Sequence, residues 1–438
     1  MKLELDPKAK KYFNEKADFL LSELVPVLSK SFPICKDSYR PNFPISGRFG
    51  KRDDPNVVEF KDIFNFKHNG QLINLKESSK KIEQLSQKMQ NRKELHKWVS
   101  VTLLTDLIYD WMKDKYKIVT DLSMVDYVLG KSQESIEELE IWIPIAELYI
   151  QSEIKIGRVT LRTIKREMFE CWRTAIMNAN PADDEKIQKF DEEQKKIQEL
   201  AAATMKVNAE PIRAFEIALE ETEKSIGLLR CFSPFNFNPE KKSYCVVFGK
   251  ENLESTKHLV FQDNNLVQIS HAFVDKNNPI WIIDDVQLSL LQNAGLEMLS
   301  DILTQEKKTE FQERLLDSLL LYSRSSLMKN PSDKLVYILV ALESFLLGNE
   351  SIQNTISDGM AYFISSNKQE RISIVENLKK AYGLRSKFIH HGETIEDLET
   401  LKEFMLNVWM FFSLVIQNAN RFDNRKQFFK AIEDEKYS

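Results

Sequence analysis

Tyr382-Gly383-Leu384-Arg385-Ser386-Lys387-Phe388-Ile389-His390-His391-Gly392 sets an arginine five residues ahead of a histidine pair. From Asn377 to Gly392 there are four Lys or Arg and no Asp or Glu, in a chain whose net charge is −5. A guanidinium that is always charged can hold phosphate oxygens in a fork, and an imidazole can carry a proton near neutral pH. The pairing suits phosphodiester chemistry. At about 100° per residue, a five-residue step turns two helical side chains roughly 140° apart. One straight helix therefore does not bring Arg385 and His390 to a single phosphate. Either Arg385 lies in a turn after Gly383, or two copies of the chain pool their residues. Ser386 stands one turn before His390, where it can orient the ring, and Lys387 stands likewise before His391.

Outward from this run the pattern is helical. Ile372, Val375, Leu378 and Tyr382 mark a helix that Gly383 is expected to end. Upstream, Phe311, Leu315, Leu316, Leu319, Leu320 and Tyr322 are spaced for a buried helix face. Leu335, Ile338, Leu339, Leu342, Phe345 and Leu346 form another, capped by Ser332 or Asp333 and stopped at Gly348. Glu343 lies among these apolar positions, so its carboxylate must reach solvent at the rim or find a cationic partner such as Arg385. Downstream, Leu398, Leu401, Met405, Val408, Phe412 and Val415 make an i, i+3, i+4 ladder. Leu406, Met410, Phe411 and Leu414 occupy its other side. Such a helix belongs in the centre of a bundle, or in a bundle that also dimerises.

The run Ala381-Tyr382-x-Leu384-Arg385-Ser386-Lys387-x-x-His390-x-Gly392 resembles the Arg-x4-His signature of HEPN domains, the helical nucleases of bacterial toxin, abortive-infection and RNA-processing systems. It is most like their Apea-like branch. Leu335-Val336-Tyr337 to Ala341-Leu342-Glu343-Ser344-Phe345-Leu346 is similar to that family's first core helix, and the likeness covers the last third of the chain. It implies a homodimer through the C-terminal bundle, with Arg385 and His390 of two protomers lining a shared cleft as catalytic residues. His391 is a second candidate beside His390, and Ser386 and Glu343 are supporting residues. The implied activity is metal-independent cleavage of RNA, such as a tRNA loop, by transesterification through the 2′-hydroxyl. Lys387, Lys379 and Lys380 would steer the RNA backbone. The setting it implies is prokaryotic antiviral defence, released by a phage-derived or cellular trigger. HEPN motifs often carry Asn, Asp or His directly after the arginine, and here the residue is Ser386. The alternative is a catalytically silent HEPN module that dimerises or senses a nucleotide while the N-terminal region binds a protein partner.

The rest of the chain is mixed. Residues 7–31 read as an opening helix, Asp37 to Asn56 as loops and short strands, and Val57 to Phe66 as a strand, with Asn69-Gly70 a hairpin signal. Glu77 to about Lys115 reads as helix. Glu140 to Ile145 and Ile154 to Leu161 read as strands, and Asp183 to Leu200 and Pro211 to Arg230 as helices. Tyr244 to Phe248, Leu259 to Gln262, Leu266 to Phe273 and Pro279 to Ile283 read as strands. The fold class expected is α+β: a mixed region over residues 1–300, with room for a subdomain break near 230–240, then an all-α bundle over 310–421. The N-terminal region, without catalytic motifs, is expected to sense or restrain.

Hydrophobic residues at 42% and charged residues at 29% describe a globular chain and argue against disorder. The acidic balance disfavours non-specific coating of nucleic acid, so RNA must meet local basic patches. Four dispersed cysteines, without Cys-x-x-Cys or His at zinc-finger spacing, point to a reduced cytoplasmic protein. No metal or cofactor site is expected, because Asp-x-Asp, His-x-x-x-His and P-loop patterns are absent. The acidic doublets Asp53-Asp54, Asp183-Asp184 and Asp284-Asp285 read as turns or caps, and the Arg158, Arg162, Lys165, Arg166, Arg173 series as a solvated face. The N-terminus lacks the apolar core of a signal peptide, and Met405 to Ile416 is too short and too interrupted to cross a bilayer, so no membrane partner is expected.

Overall fold

The computed structural model describes residues 3–24, 26–27, 65–68, 71–74, 76–179, 184–250, 255–262, 265–273, 280–346 and 352–437. In chain order the first elements are α1 (Pro7–Ser22), β1 (Pro26–Val27), β2 (Asn65–His68), β3 (Gln71–Asn74), α2 (Lys76–Gln90), α3 (Val101–Tyr116) and α4 (Met124–Glu134). There follow β4 (Glu137–Pro144), β5 (Leu148–Ile150), β6 (Ile154–Ile156), β7 (Val159–Thr163), α5 (Arg166–Ala179), α6 (Asp184–Ile197), β8 (Ala201–Ala209) and α7 (Pro211–Arg230). Then come β9 (Ser255–Gln262), β10 (Asn265–Phe273), β11 (Trp281–Ile283), α8 (Asp285–Asn293) and α9 (Leu296–Thr304). The last six helices are α10 (Glu310–Ser325), α11 (Pro331–Leu346), α12 (Ile352–Ile364), α13 (Lys368–His391), α14 (Leu398–Gln417) and α15 (Arg425–Tyr437). The class is α+β. Two compact units are present: residues 1–141 with 206–217, and residues 142–205 with 218–438.

In the first unit, helical spacing makes the core. Phe13, Ala17 and Leu20 of α1, Ile82, Leu85 and Met89 of α2, and Leu104, Ile108 and Trp111 of α3 recur every three or four residues and are buried together. The opening helix stops at Ser22, short of residue 31, because Pro26 cannot continue it. Residues 28–31, the loops and short strands expected over residues 37–56 with the Asp53-Asp54 doublet, and most of the strand expected over 57–66 lie outside the described residues. The helix expected over 77–115 is two helices, α3 being started afresh by Ser100, whose hydroxyl accepts the Leu103 N–H. β2 and β3 pair with His68 opposite Gln71, the register that a two-residue Asn-Gly loop dictates, although Asn69 and Gly70 themselves are outside the described residues. Glu210 is buried, and its carboxylate accepts the backbone N–H groups of Ser100, Ile212 and Arg213, each at 2.9 Å.

β4, β8, β7 and β6 form a sheet in that order, to which the second unit contributes β6, β7, residues 142–144 of β4 and residues 201–205 of β8. β8 has no counterpart among the expected elements, because Ala201-Ala202-Ala203 carries helix-forming residues. It is a strand because small side chains fit beneath Leu161 and its neighbours, Leu161 pairing with Ala203. Tyr244 to Phe248 was expected to be a strand and makes one bridge, Val247 to Ile145. β9 and β10 form the expected hairpin, though Asp263 and Asn264 are outside the described residues, and β11 lies parallel to β5. Asp284 accepts the Gln287 N–H as the cap of α8, whereas Asp183 is outside the described residues. Within the Arg158, Arg162, Lys165, Arg166, Arg173 series, three make surface pairs, Arg162 with Glu153, Arg166 with Glu170 and Arg173 with Asp191.

From α10 onward every element is helical. Phe311, Phe345, Phe411 and Phe428 are buried with ring centroids 5.4 Å (Phe311–Phe345), 5.9 Å (Phe345–Phe411) and 5.7 Å (Phe345–Phe428) apart. Thr309 and Gln312 form a reciprocal capping box at the start of α10. α11 begins at Pro331, with the Asn330 side chain accepting the Ser332 N–H at 2.8 Å, so neither Ser332 nor Asp333 is the cap. Gly348 is outside the described residues. The last carbonyls of α11 are taken by arginines, Ser344 O by Arg314 Nη1 at 3.0 Å and Leu346 O by Arg425 Nε at 3.1 Å. α14 buries the ladder Leu401, Met405, Val408, Phe412 and Val415, whereas of the residues expected on its other side only Phe411 is buried, Met410 and Leu414 being half-buried and Leu406 exposed. No helix among the described residues is long and apolar enough to cross a membrane.

Candidate functional site

The site is built on α13, and α13 does not end at Gly383. It runs unbroken to His391. Asn367 starts it by accepting the N–H groups of Gln369 and Glu370. It stops at Gly392, whose φ of 68° is left-handed and whose N–H returns to Phe388 O at 2.9 Å. Gly383 is exposed in mid-helix, with open space where a side chain would stand. A single glycine costs about 1 kcal/mol in a helix interior, which 24 residues of packed helix absorb. The arrangement that would have put Arg385 in a turn is thereby excluded.

α13 is fixed to its neighbours by polar contacts as well as by Ile374, Leu378 and Ala381. The buried Asn377 donates to Thr400 O at 3.1 Å and accepts from the Asn407 amide at 3.1 Å. Tyr382 and Arg385, three residues apart on one face, both turn to Glu343 of α11. Glu343 Oε1 accepts the Tyr382 hydroxyl at 3.2 Å and Arg385 Nη1 at 3.4 Å. Side-chain exposure is 31% for Arg385 and 20% for Glu343, a half-buried ion pair at the rim. Glu343 thus takes the cationic partner its position demanded. The Tyr382 phenol is pushed above its ordinary range, first by burial, then by the Glu343 charge and hydrogen bond, with Arg385 opposing. Tyr382 therefore stays a donor. Arg385 Nε is buried and has no hydrogen-bond partner among the described residues.

His390 and His391 occupy the last turn of α13, both exposed, as are Ser386, Lys387, Lys379 and Lys380. The structure brings Arg385 and Glu343 together and leaves His390 on another side of the same helix. By spacing Tyr382 belongs to the apolar face of α13, and its place three residues before Arg385 is the signal in the sequence that the two share a partner.

Lys334 was also missed. It is fully buried in the first turn of α11, where its Nζ donates to Asn238 O at 2.8 Å, to Phe235 O at 3.5 Å and to Lys241 O. Burial lowers its pKa to about 8. The only hint was a lysine one residue before a long apolar face. Among the described residues, no group of three or more His, Cys, Asp or Glu side chains is placed to hold a metal ion.

No family model, curated protein or solved structure matches this chain.

Proposed function

We propose that this chain is a metal-independent endoribonuclease, working as a homodimer through its C-terminal bundle in a prokaryotic antiviral or abortive-infection response. The observation that carries the reading is the division of labour on α13: Arg385 is paired with Glu343, which also accepts the Tyr382 hydroxyl, while His390 stands exposed on the last turn of the same helix. A second protomer placed across α13 would bring its own exposed histidine towards the first protomer's arginine. That arrangement answers the roughly 140° between the two side chains.

In this mechanism His390 takes the proton of a ribose 2′-hydroxyl as general base, or gives one to the departing oxygen as general acid. The 2′-oxygen bonds to the adjacent phosphorus and the bond from phosphorus to the 5′-oxygen breaks. A 2′,3′-cyclic phosphate and a 5′-hydroxyl result. Arg385 stabilises the extra negative charge of the transition state. Lys379, Lys380 and Lys387 attract the RNA backbone. Residues 1–300 would restrain the bundle until a phage-derived or cellular trigger arrives.

A second reading has its own observation. The Arg385 guanidinium already faces a carboxylate, as it would in a silent module that only dimerises or senses a nucleotide while the N-terminal region binds a protein. Cleavage of single-stranded RNA in excess EDTA separates the two. The nuclease reading expects cutting that survives EDTA and falls roughly 10²- to 10⁴-fold in His390→Ala, with a comparable fall in Arg385→Ala. Full activity in both variants, or activity lost in EDTA and restored by Mg²⁺, overturns it.

A further inference from the structure

Beside the end of α13 lies a groove of about 780 Å³. It is lined by the connection between α10 and α11, including Met328 and Lys329, together with Lys242, Asp333, Thr394 and Ile395. The Lys242 segment is built in. Lys334 holds the carbonyls of Asn238 and Lys241 from beneath, and the Ser243 N–H donates to Ser326 O at 2.6 Å. The Lys242 ammonium is itself set 4.7 Å from the Tyr244 ring centroid. The Thr394 and Ile395 part of the lining follows closely on the histidines in the chain. Thr394 is three peptide units past His391, so their Cα atoms are at most roughly 11 Å apart.

The lining selects a ligand chemistry. The lining carries two lysines against one carboxylate, and an ammonium has three donors, so that Lys242 and Lys329 can meet an anion beside the contacts they already make. Met328 and Ile395 offer apolar surface for the face of a ring, and the Asp333 carboxylate can accept a hydrogen bond from a ribose hydroxyl or a base amine. An anion, a hydroxyl or amine donor and a flat apolar face together describe a nucleotide. The volume falls within the roughly 300–1,000 Å³ of small-ligand pockets.

We infer that this groove is the subsite for an RNA nucleotide flanking the phosphate to be cleaved, with its phosphate at Lys242 and Lys329 and its base against Met328 and Ile395. The inference rests on the nuclease reading for what happens next to the groove, but it is a claim about binding.

The test uses the full chain carrying His390→Ala, which should hold RNA uncut, and a fluorescently labelled single-stranded RNA titrated by anisotropy over a range of salt. Thr394→Trp fills the groove and Lys329→Glu reverses a charge. Both positions are exposed, so the fold should survive, as circular dichroism would check. Each is expected to weaken RNA binding at least tenfold, and Lys329→Glu to flatten the slope of log affinity against log salt by about 0.7. Unchanged affinity and slope in both variants overturn the subsite. So does 5′-AMP that binds the groove without displacing RNA. Groove-dependent RNA binding by a chain whose wild type cuts nothing would refute the nuclease and leave the subsite standing. Cutting with groove-independent binding would do the reverse, and no RNA binding at any salt would refute both.

Discussion

Asn407 of α14 donates its side-chain amide to Asn377 Oδ1 of α13 at 3.1 Å, and both residues are buried. Because Asn377 also donates to Thr400 O, the pair sets the register of the helix that carries Arg385 and His390 against the helix behind it. Asn407→Leu leaves the Asn377 oxygen without its donor and should cost about 1–3 kcal/mol. Leucine at both positions should cost less than the sum of the single changes, since two apolar side chains need no partner. Denaturant titration of the two single variants and the double variant reads this directly; additive costs would show that the amides do not act as a pair.

Gly392 should matter for its backbone alone. Its φ is 68°, and nothing lies within 4 Å of the place a Cβ would take. Gly392→Ala should therefore destabilise by about 1–2 kcal/mol with no steric term, and Gly392→Asn by less. The loss should be local. Hydrogen exchange at the amides of Ile389, His390 and His391 should speed up in Gly392→Ala while exchange in α14 is unchanged.

The bundle was legible wherever a single face is apolar. Leu335, Ile338, Leu339, Leu342, Phe345 and Leu346 are all buried, as helical spacing requires. Punctuation was less legible, because one glycine has two meanings. Gly383 reads as a stop and is an exposed mid-helix residue, whereas Gly392 is the stop because its neighbours place it in the left-handed region. β8 was invisible for a related reason: alanine propensity favours helix, and only pairing with Leu161 and its neighbours makes Ala201–Ala203 extended. At the site, a carboxylate among apolar neighbours left two outcomes open for Glu343, solvent at the rim or a cationic partner, and the structure shows a half-buried pair with Arg385. The Tyr382 hydrogen bond and the Lys334 anchor needed three dimensions, since their partners are 39 and 96 residues away.

Lys334 gives the chain a pH signature. Burial lowers its pKa to about 8 from 10.5. Between those two values the unfolded chain still holds a proton that the native chain has released, so stability rises with pH across that window. Below about pH 8 the native state carries the buried charge in full, helped by the carbonyls of Phe235, Asn238 and Lys241. Lys334→Met removes the charge and the slope together but orphans those carbonyls, and should cost about 1–3 kcal/mol at pH 7. Denaturant midpoints of wild type and variant from pH 7 to 10.5 decide it. A variant with the same pH slope as wild type would mean that Lys334 is not the group responsible.

Glu343 and Tyr382 should act on the reaction only through Arg385. If Arg385 stabilises the transition state, Glu343→Ala lets its side chain leave position while the general base is untouched. The single-turnover rate at saturating RNA should then drop at least about tenfold with little change in KM, as for an interaction realised only in the transition state. Glu343→Gln keeps an acceptor for the Tyr382 hydroxyl and Arg385 Nη1, and should lose less. Tyr382→Phe removes one of the two donors to Glu343 and should lose least. Tyr382 also leaves an alkaline trace. Its raised pKa means that above about pH 10 the unfolded chain sheds a phenol proton which the native chain keeps, so stability falls as pH rises beyond that point. That fall should shrink in Tyr382→Phe. Equal rates in wild type and Glu343→Ala, with the fold intact, would leave the Arg385–Glu343 pair a structural tie with no part in cleavage.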